Sequence, residues 1–215
     1  MIVFFKNMHQ MSHPIKSVVF DLDGVLIDSR PVMEISWSLI QEKYSIVQPF
    51  SEYFKHIGIP FIEIMKAIGI KDNLVEIKND YFSYTQENSE NIRAYNHSYD
   101  IFNILKNKNI TTGIITSKER KNTLAICSRY GFSPDEIITP NDVKRGKPSI
   151  DSGQEYLKRT GLNSKDVLYV GDMESDFIFS KNMDFHFLFA NYGYGEISDM
   201  NLNKIDNLLD IIKYI

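Results

Sequence analysis

One cysteine, five histidines and no long apolar run narrow what this 215-residue sequence can be before any motif is read. Cys127 alone cannot form an internal disulfide, and its setting in residues 121–130, a segment with helical apolar spacing, predicts a buried thiol. His9, His13, His56, His97 and His186 show neither the H-x-x-x-H nor the Cys/His spacing of a zinc site, so any metal here is expected on oxygen ligands. No stretch approaches membrane-spanning length. With 24 Lys and Arg against 28 Asp and Glu, the net charge is −4, and no basic block breaks the balance. Neither nucleic acid nor a membrane is therefore an expected partner. The apolar opening Met1-Ile2-Val3-Phe4-Phe5 is too short for a signal-peptide core, and its charge, Lys6, follows rather than precedes it. Residues 1–14 are expected to be an extension, with Met11 as an alternative start and the cytoplasm as the default location.

What is present is ordinary for a globule: 43% apolar and 24% charged residues, enough to bury a core as one domain with an insertion. Strand-like runs at residues 15–20, 111–116, 136–139, 167–170 and 185–190 alternate with helical patterns. That alternation predicts a doubly wound, Rossmann-like parallel α/β sheet. Helices are expected at 99–107 after Ser98, at 118–130 ending on Gly131, and at 149–160, opened by Ser149 and stopped by Gly161. Residues 30–97 carry helical periodicity and no convincing strand, with Pro31 suited to the first turn of a helix. This interval reads as an inserted α-helical cap, leaving 15–29 and 98–215 as the core. Residues 86–91 and 201–207 are polar enough to be loops, and 208–215 is expected to be a closing helix.

Asp21-Leu22-Asp23-Gly24 follows the first apolar run, so two carboxylates stand where a strand becomes a loop. Alternation along an extended backbone turns both the same way, toward the crevice where open α/β sheets bind ligands. A nucleophile beside an acid/base fits that placement; a plain Asp/Gly turn is the competing reading. Three later segments sit at or beside sheet ends in order: Thr116-Ser117, Lys147-Pro148, and Gly171-Asp172-Met173-Glu174-Ser175-Asp176. Helix capping would also account for Asp172, Asp176 and Thr116, and a solvated loop for Lys147.

Taken together, these four motifs resemble the haloacid dehalogenase superfamily, in the branch with a helical cap after the first motif, and within it phosphoglycolate-phosphatase-like enzymes. The resemblance spans nearly the whole chain from Ile15. It implies that Asp21 is a nucleophile forming an aspartyl-phosphate and that Asp23 protonates the leaving oxygen and then takes a proton from water. Thr116 and the Ser117 amide would bind phosphoryl oxygens, and Lys147, chosen over Lys144 because Pro148 fixes its loop, would neutralise nucleophile and phosphate. Mg2+ is the implied cofactor, held by Asp21, the Asp23 carbonyl, Asp172 and, directly or through water, Asp176, with Glu174 outside the direct ligands. Residues 178–184, IFSKNMD, depart from the small residues usual there. Residues 191–195 resemble a Gly-containing loop of that branch and are assigned no catalytic role.

The expected activity is hydrolysis of a small phosphorylated metabolite, which the sequence does not name. Lys55, His56 and Arg93 of the cap are expected to be surface residues. Two other outcomes stay open: a β-phosphoglucomutase-like phosphosugar mutase using the same aspartates, and an inactive phosphometabolite-binding protein. Oligomeric state is also open, a monomer included.

Overall fold

The computed structural model of the chain describes residues 14–197 and 202–215. The expected extension, Met11 included, lies outside the described residues except for Pro14. In chain order the elements are β1 (Ser17–Phe20), β2 (Ile27–Asp28), α1 (Arg30–Tyr44), α2 (Phe50–Phe54), α3 (Phe61–Ala67), α4 (Leu74–Glu87), β3 (Arg93–Ala94) and α5 (Ser98–Asn107). There follow β4 (Thr111–Ile115), α6 (Arg120–Tyr130), β5 (Glu136–Ile138), α7 (Asp151–Thr160), β6 (Val167–Gly171), α8 (Glu174–Met183), β7 (His186–Ala190) and β8 (Lys204–Ile205). No described helix is long and apolar enough to cross a membrane.

Six strands form one parallel sheet in the order β5-β4-β1-β6-β7-β8. All four residues of β1 are buried, as a strand paired on both edges and covered on both faces must be. Val18 pairs with Thr112 on one side and Leu168 on the other. Alternation then splits the core in two. Val18, Phe20, Leu168 and Val170 pack with Ile101 and Phe102 of α5 and Ile126 and Cys127 of α6. Val19, Val167 and Tyr169 pack with Tyr156 of α7 and Phe179 of α8. Helices therefore cover both faces, the doubly wound arrangement expected, and Cys127 is the buried helix thiol expected.

Some local expectations fail for reasons tertiary contacts explain. Ser98 does not cap α5: His97 holds that position at φ 67, and the buried Ser98 Oγ donates to the Leu26 carbonyl at 2.7 Å. Ser149 likewise precedes the N-cap, Ile150, and its hydroxyl donates to the Asp151 carboxylate at 2.8 Å. Gly131 and Gly161 do end α6 and α7 in the left-handed conformation, donating back to Cys127 and Leu157 carbonyls. Residues 86–91 are not a free loop but the end of α4 and a 3-10 turn, Ser89–Asn91, while 204–205 add the edge strand β8. The closing helix expected is present as a 3-10 helix, Leu208–Tyr214. Elements of two or three residues are too short to show a period in sequence.

The interval expected to hold no strand contains β3, which pairs antiparallel with β2 through Ile27↔Ala94 and Asp28↔Arg93. The two chain crossings between the sheet and helices α1 to α4 are thereby zipped together, with Tyr95 N–H also donating to Leu26 O at 3.0 Å. Those helices have their own aromatic core. Trp37 stacks on Tyr53 at 4.6 Å, and the Tyr53 hydroxyl donates to that of Tyr81 at 2.9 Å.

Candidate active site

The site grows from the carboxyl ends of β1, β4 and β6. Asp21 N–H donates to Val170 O at 2.9 Å, extending the ladder one residue beyond β1 before the chain turns away. The turn requires Gly24, whose φ is +85 and whose N–H donates to Ile27 O at 2.8 Å. A Cβ there would lie 2.0 Å from Asp172 Oδ2, so only glycine lets this backbone approach that carboxylate. Asp23 then opens on the same cavity as Asp21, as alternation predicted. Its Oδ1 accepts from the Ser29 hydroxyl and lies 3.2 Å from Lys118 Nζ.

Lys147 reaches in from the loop before α7 and is 4% exposed, whereas Lys144 is exposed. Its ammonium donates to Asp21 Oδ1 at 2.8 Å, Asp176 Oδ1 at 2.7 Å and the Tyr169 hydroxyl at 2.9 Å. Asp176 Oδ2 accepts the N–H groups of Asp172 and Met173 at 3.2 and 3.1 Å, so this residue caps α8 and faces the site at once. Thr116, buried just past β4, accepts Lys118 N–H on its hydroxyl at 3.1 Å. Ser117 is exposed and lines the same cavity as Asp21, Asp23, Thr116, Lys147 and Asp176. Glu174 is exposed on α8 and joins none of these contacts.

Asp21, Asp172 and Asp176 can each place a carboxylate oxygen within 4.8 Å of the others, and all three are buried. Burial, the charge of Asp176 and that of Asp23 raise the Asp21 pKa from 3.8 to about 7, against the pull of Lys147. Burial, then Asp176 and Asp21, push Asp172 well above the carboxylate range. Burial alone would pull Lys147 down, but Asp176, Asp21 and Tyr169 override it and hold the ammonium well above its ordinary value. Three acidic groups against one ammonium leave the cluster short of positive charge. Asp172 Oδ1 is buried with no hydrogen-bond partner, a costly state for a carboxylate oxygen. A hard divalent cation on oxygen ligands meets both deficits.

The family model described as haloacid dehalogenase-like hydrolase matches residues 18–190, most of the chain. The chain belongs to that family. A pyrophosphatase PpaX of Oceanobacillus iheyensis is 28% identical over 172 residues, covering 76% of this chain and 78% of that protein. A glyceraldehyde 3-phosphate phosphatase of Methanocaldococcus jannaschii is 26% identical over 226 residues, covering 93% and 97%. The solved structure of a haloacid dehalogenase-like family hydrolase from Streptococcus pneumoniae superposes with a TM-score of 0.80 at 19% identity, covering 93% of this chain and 98% of that one.

This haloacid dehalogenase-like chain also uses residues that motif reading passed over. The loop at 191–195 lies against Asp172: Tyr194 N–H donates to its Oδ2 at 2.7 Å, and a Cβ on Gly193 would sit 2.3 Å from its Cβ. The Tyr194 hydroxyl accepts Ser29 N–H at 2.6 Å and Arg30 N–H at 3.2 Å and donates to Asp28 Oδ1 at 3.2 Å. Its ring meets Phe54 of α2 edge-on at 5.2 Å. One residue thus ties Asp172, the Ser29 partner of Asp23 and helices α1 and α2 together. The Gly-Tyr-Gly pattern was the only available signal, and turn chemistry explains it equally well in sequence. Tyr194→Phe keeps the ring and strips the hydroxyl from a largely buried Ser29 N–H. It should destabilise the protein by about 1–3 kcal/mol, read as a lower urea midpoint with unchanged slope.

Proposed function

We propose that this chain is a Mg2+-dependent phosphatase that hydrolyses a small phosphomonoester through an aspartyl-phosphate on Asp21. The buried trio Asp21, Asp172 and Asp176 around Lys147, with Asp172 Oδ1 unpartnered, is the observation that carries this reading. The phosphatase names borne by relatives in the same family support it.

Asp21 attacks phosphorus; its Oδ–P bond forms as the ester P–O bond breaks, and Asp23 passes its proton to the departing alkoxide. Asp23, held by Ser29 and close to Lys118, then removes a proton from water, whose oxygen bonds to phosphorus and releases the Asp21 carboxylate. Lys147 balances charge on Asp21 throughout, and Thr116 and Ser117 receive the phosphoryl oxygens. Asp21, Asp172, Asp176 and the Asp23 carbonyl would hold Mg2+, which offsets the repulsion between the attacking carboxylate and the phosphate dianion. In this reading residues 30–97 act as a cap over a core of 15–29 and 98–215, excluding bulk water from the reacting groups.

Purified chain should release inorganic phosphate from members of a phosphomonoester panel with Mg2+ and stop when EDTA is added. Bisphosphate-dependent sugar isomerisation without phosphate release would identify a mutase instead, and binding without turnover an inactive binder. Stability supplies an independent readout. A carboxyl raised from 3.8 to about 7 binds its proton more tightly in the folded state. In EDTA its contribution is therefore fully present below about pH 4 and lost as pH rises through about 7. Mg2+ competes with that proton, so millimolar MgCl2 should raise Tm more at pH 8 than at pH 5. Equal shifts at both pH values would remove the metal from this site.

A further inference from the structure

Resting on the phosphatase reading above, we propose that the group esterified to phosphate is apolar and about the size of one or two rings, not a small anion or a polyhydroxylated sugar. The cavity that begins at Asp21 and Asp23 has a volume of about 560 Å³. That is the size of a pocket for a drug-sized ligand, roughly 300–1,000 Å³. Phosphate bound at Lys147 and Thr116 would occupy one end, and a glycolate or a second phosphate would leave most of the remainder to water.

The walls say what should fill that remainder. Met33, Ile57, Ile59, Phe61, Ile64 and Phe82 face it from the helical side. Ile57, Ile59 and Phe82 are half-buried hydrophobics at the edge of the cap's aromatic core, which leaves apolar surface for a ligand to cover. Three polar side chains of the helical wall are already engaged. The hydroxyls of Tyr53 and Tyr81 bond each other at 2.9 Å, and Thr85 Oγ1 donates to Phe82 O at 2.9 Å. A sugar hydroxyl set against these apolar residues and engaged hydroxyls would give up water without gaining a partner from them. Two of the cavity's cations are also engaged: Arg129 donates to Ser89 O at 2.7 Å, and Lys118 lies 3.2 Å from Asp23. Lys121 is exposed, and Lys78 lies over the Phe82 ring at 5.8 Å from its centroid. The Lys78–Phe82 pair offers an aromatic ligand a ring to stack on with a cation beside it.

The test compares kcat/KM with Mg2+ for ethyl phosphate and 2-(1-naphthyl)ethyl phosphate, whose leaving alkoxides are chemically alike, alongside phosphoglycolate, pyrophosphate and glucose 6-phosphate. The naphthylethyl ester should exceed ethyl phosphate and each of the other three by at least about tenfold. Phe82→Ser should cut the naphthylethyl-to-ethyl ratio by about tenfold, and Phe82→Leu, which keeps the apolar wall, should hold it within about threefold. Equal rates for the two esters, or a preference for phosphoglycolate, pyrophosphate or glucose 6-phosphate, would overturn the apolar leaving group and leave the phosphatase reading standing. Phosphate release from none of the five would overturn both.

Discussion

Asp21→Asn should abolish phosphate release, lowering kcat by roughly 10⁴-fold or more, while leaving the fold at least as stable. The amide has almost the shape of the carboxylate but no charge to attack phosphorus. Lys147 keeps Asp176 and Tyr169 as partners after the change, so no buried ammonium is stranded. Burial already makes the Asp21 charge costly, as its pKa of about 7 shows, and the variant removes that cost. Kinetics and thermal melts on one preparation separate the two effects. Full activity in the variant would show that Asp21 is not the nucleophile, whereas inactivity with a collapsed Tm would show only misfolding.

Lys147→Met should do the opposite and damage both properties. The aliphatic stem is retained, but Asp21, Asp172 and Asp176 lose the ammonium that bonds two of them. Breaking a buried ion pair from one side typically destabilises by about 3–5 kcal/mol, because the remaining charges stay buried and unpaired. The loss should shrink at pH 5, where raised carboxyls take up protons, and in the presence of Mg2+. Turnover should fall by roughly 10²–10³-fold at saturating Mg2+, the scale of losing one electrostatic contact to a developing charge. Denaturant unfolding at pH 5 and pH 8 decides the point: a variant as stable as its parent at pH 8 would mean that Lys147 does not offset these carboxylates.

Capping and a place in the acidic cluster are compatible readings of Asp176 in sequence, and one of its carboxylate oxygens accepts Met173 N–H while the other meets Lys147. Lys147 was separable from Lys144 by its neighbouring proline; in the fold Lys147 is buried and Lys144 is exposed. Tyr169 was read as one more residue of a buried strand, and its hydroxyl, 2.9 Å from Lys147, could not be anticipated. Ser98 illustrates the reverse error, a residue with good capping chemistry drawn instead to a carbonyl 72 positions away.

Apolar period and the residues that punctuate it act over neighbouring positions, so the alternation of the longer strands with helices, the acidic and basic motifs at the strand ends and the glycine stops of α6 and α7 were all legible in the linear chain. Convergence was not. Asp21 and Lys147 are 126 residues apart, and Ser29 and Tyr194 are 165 apart. Which side chains meet, which are stripped of water and whose pKa moves depend on long-range packing, because burial and Coulomb interaction follow distance in space rather than along the backbone.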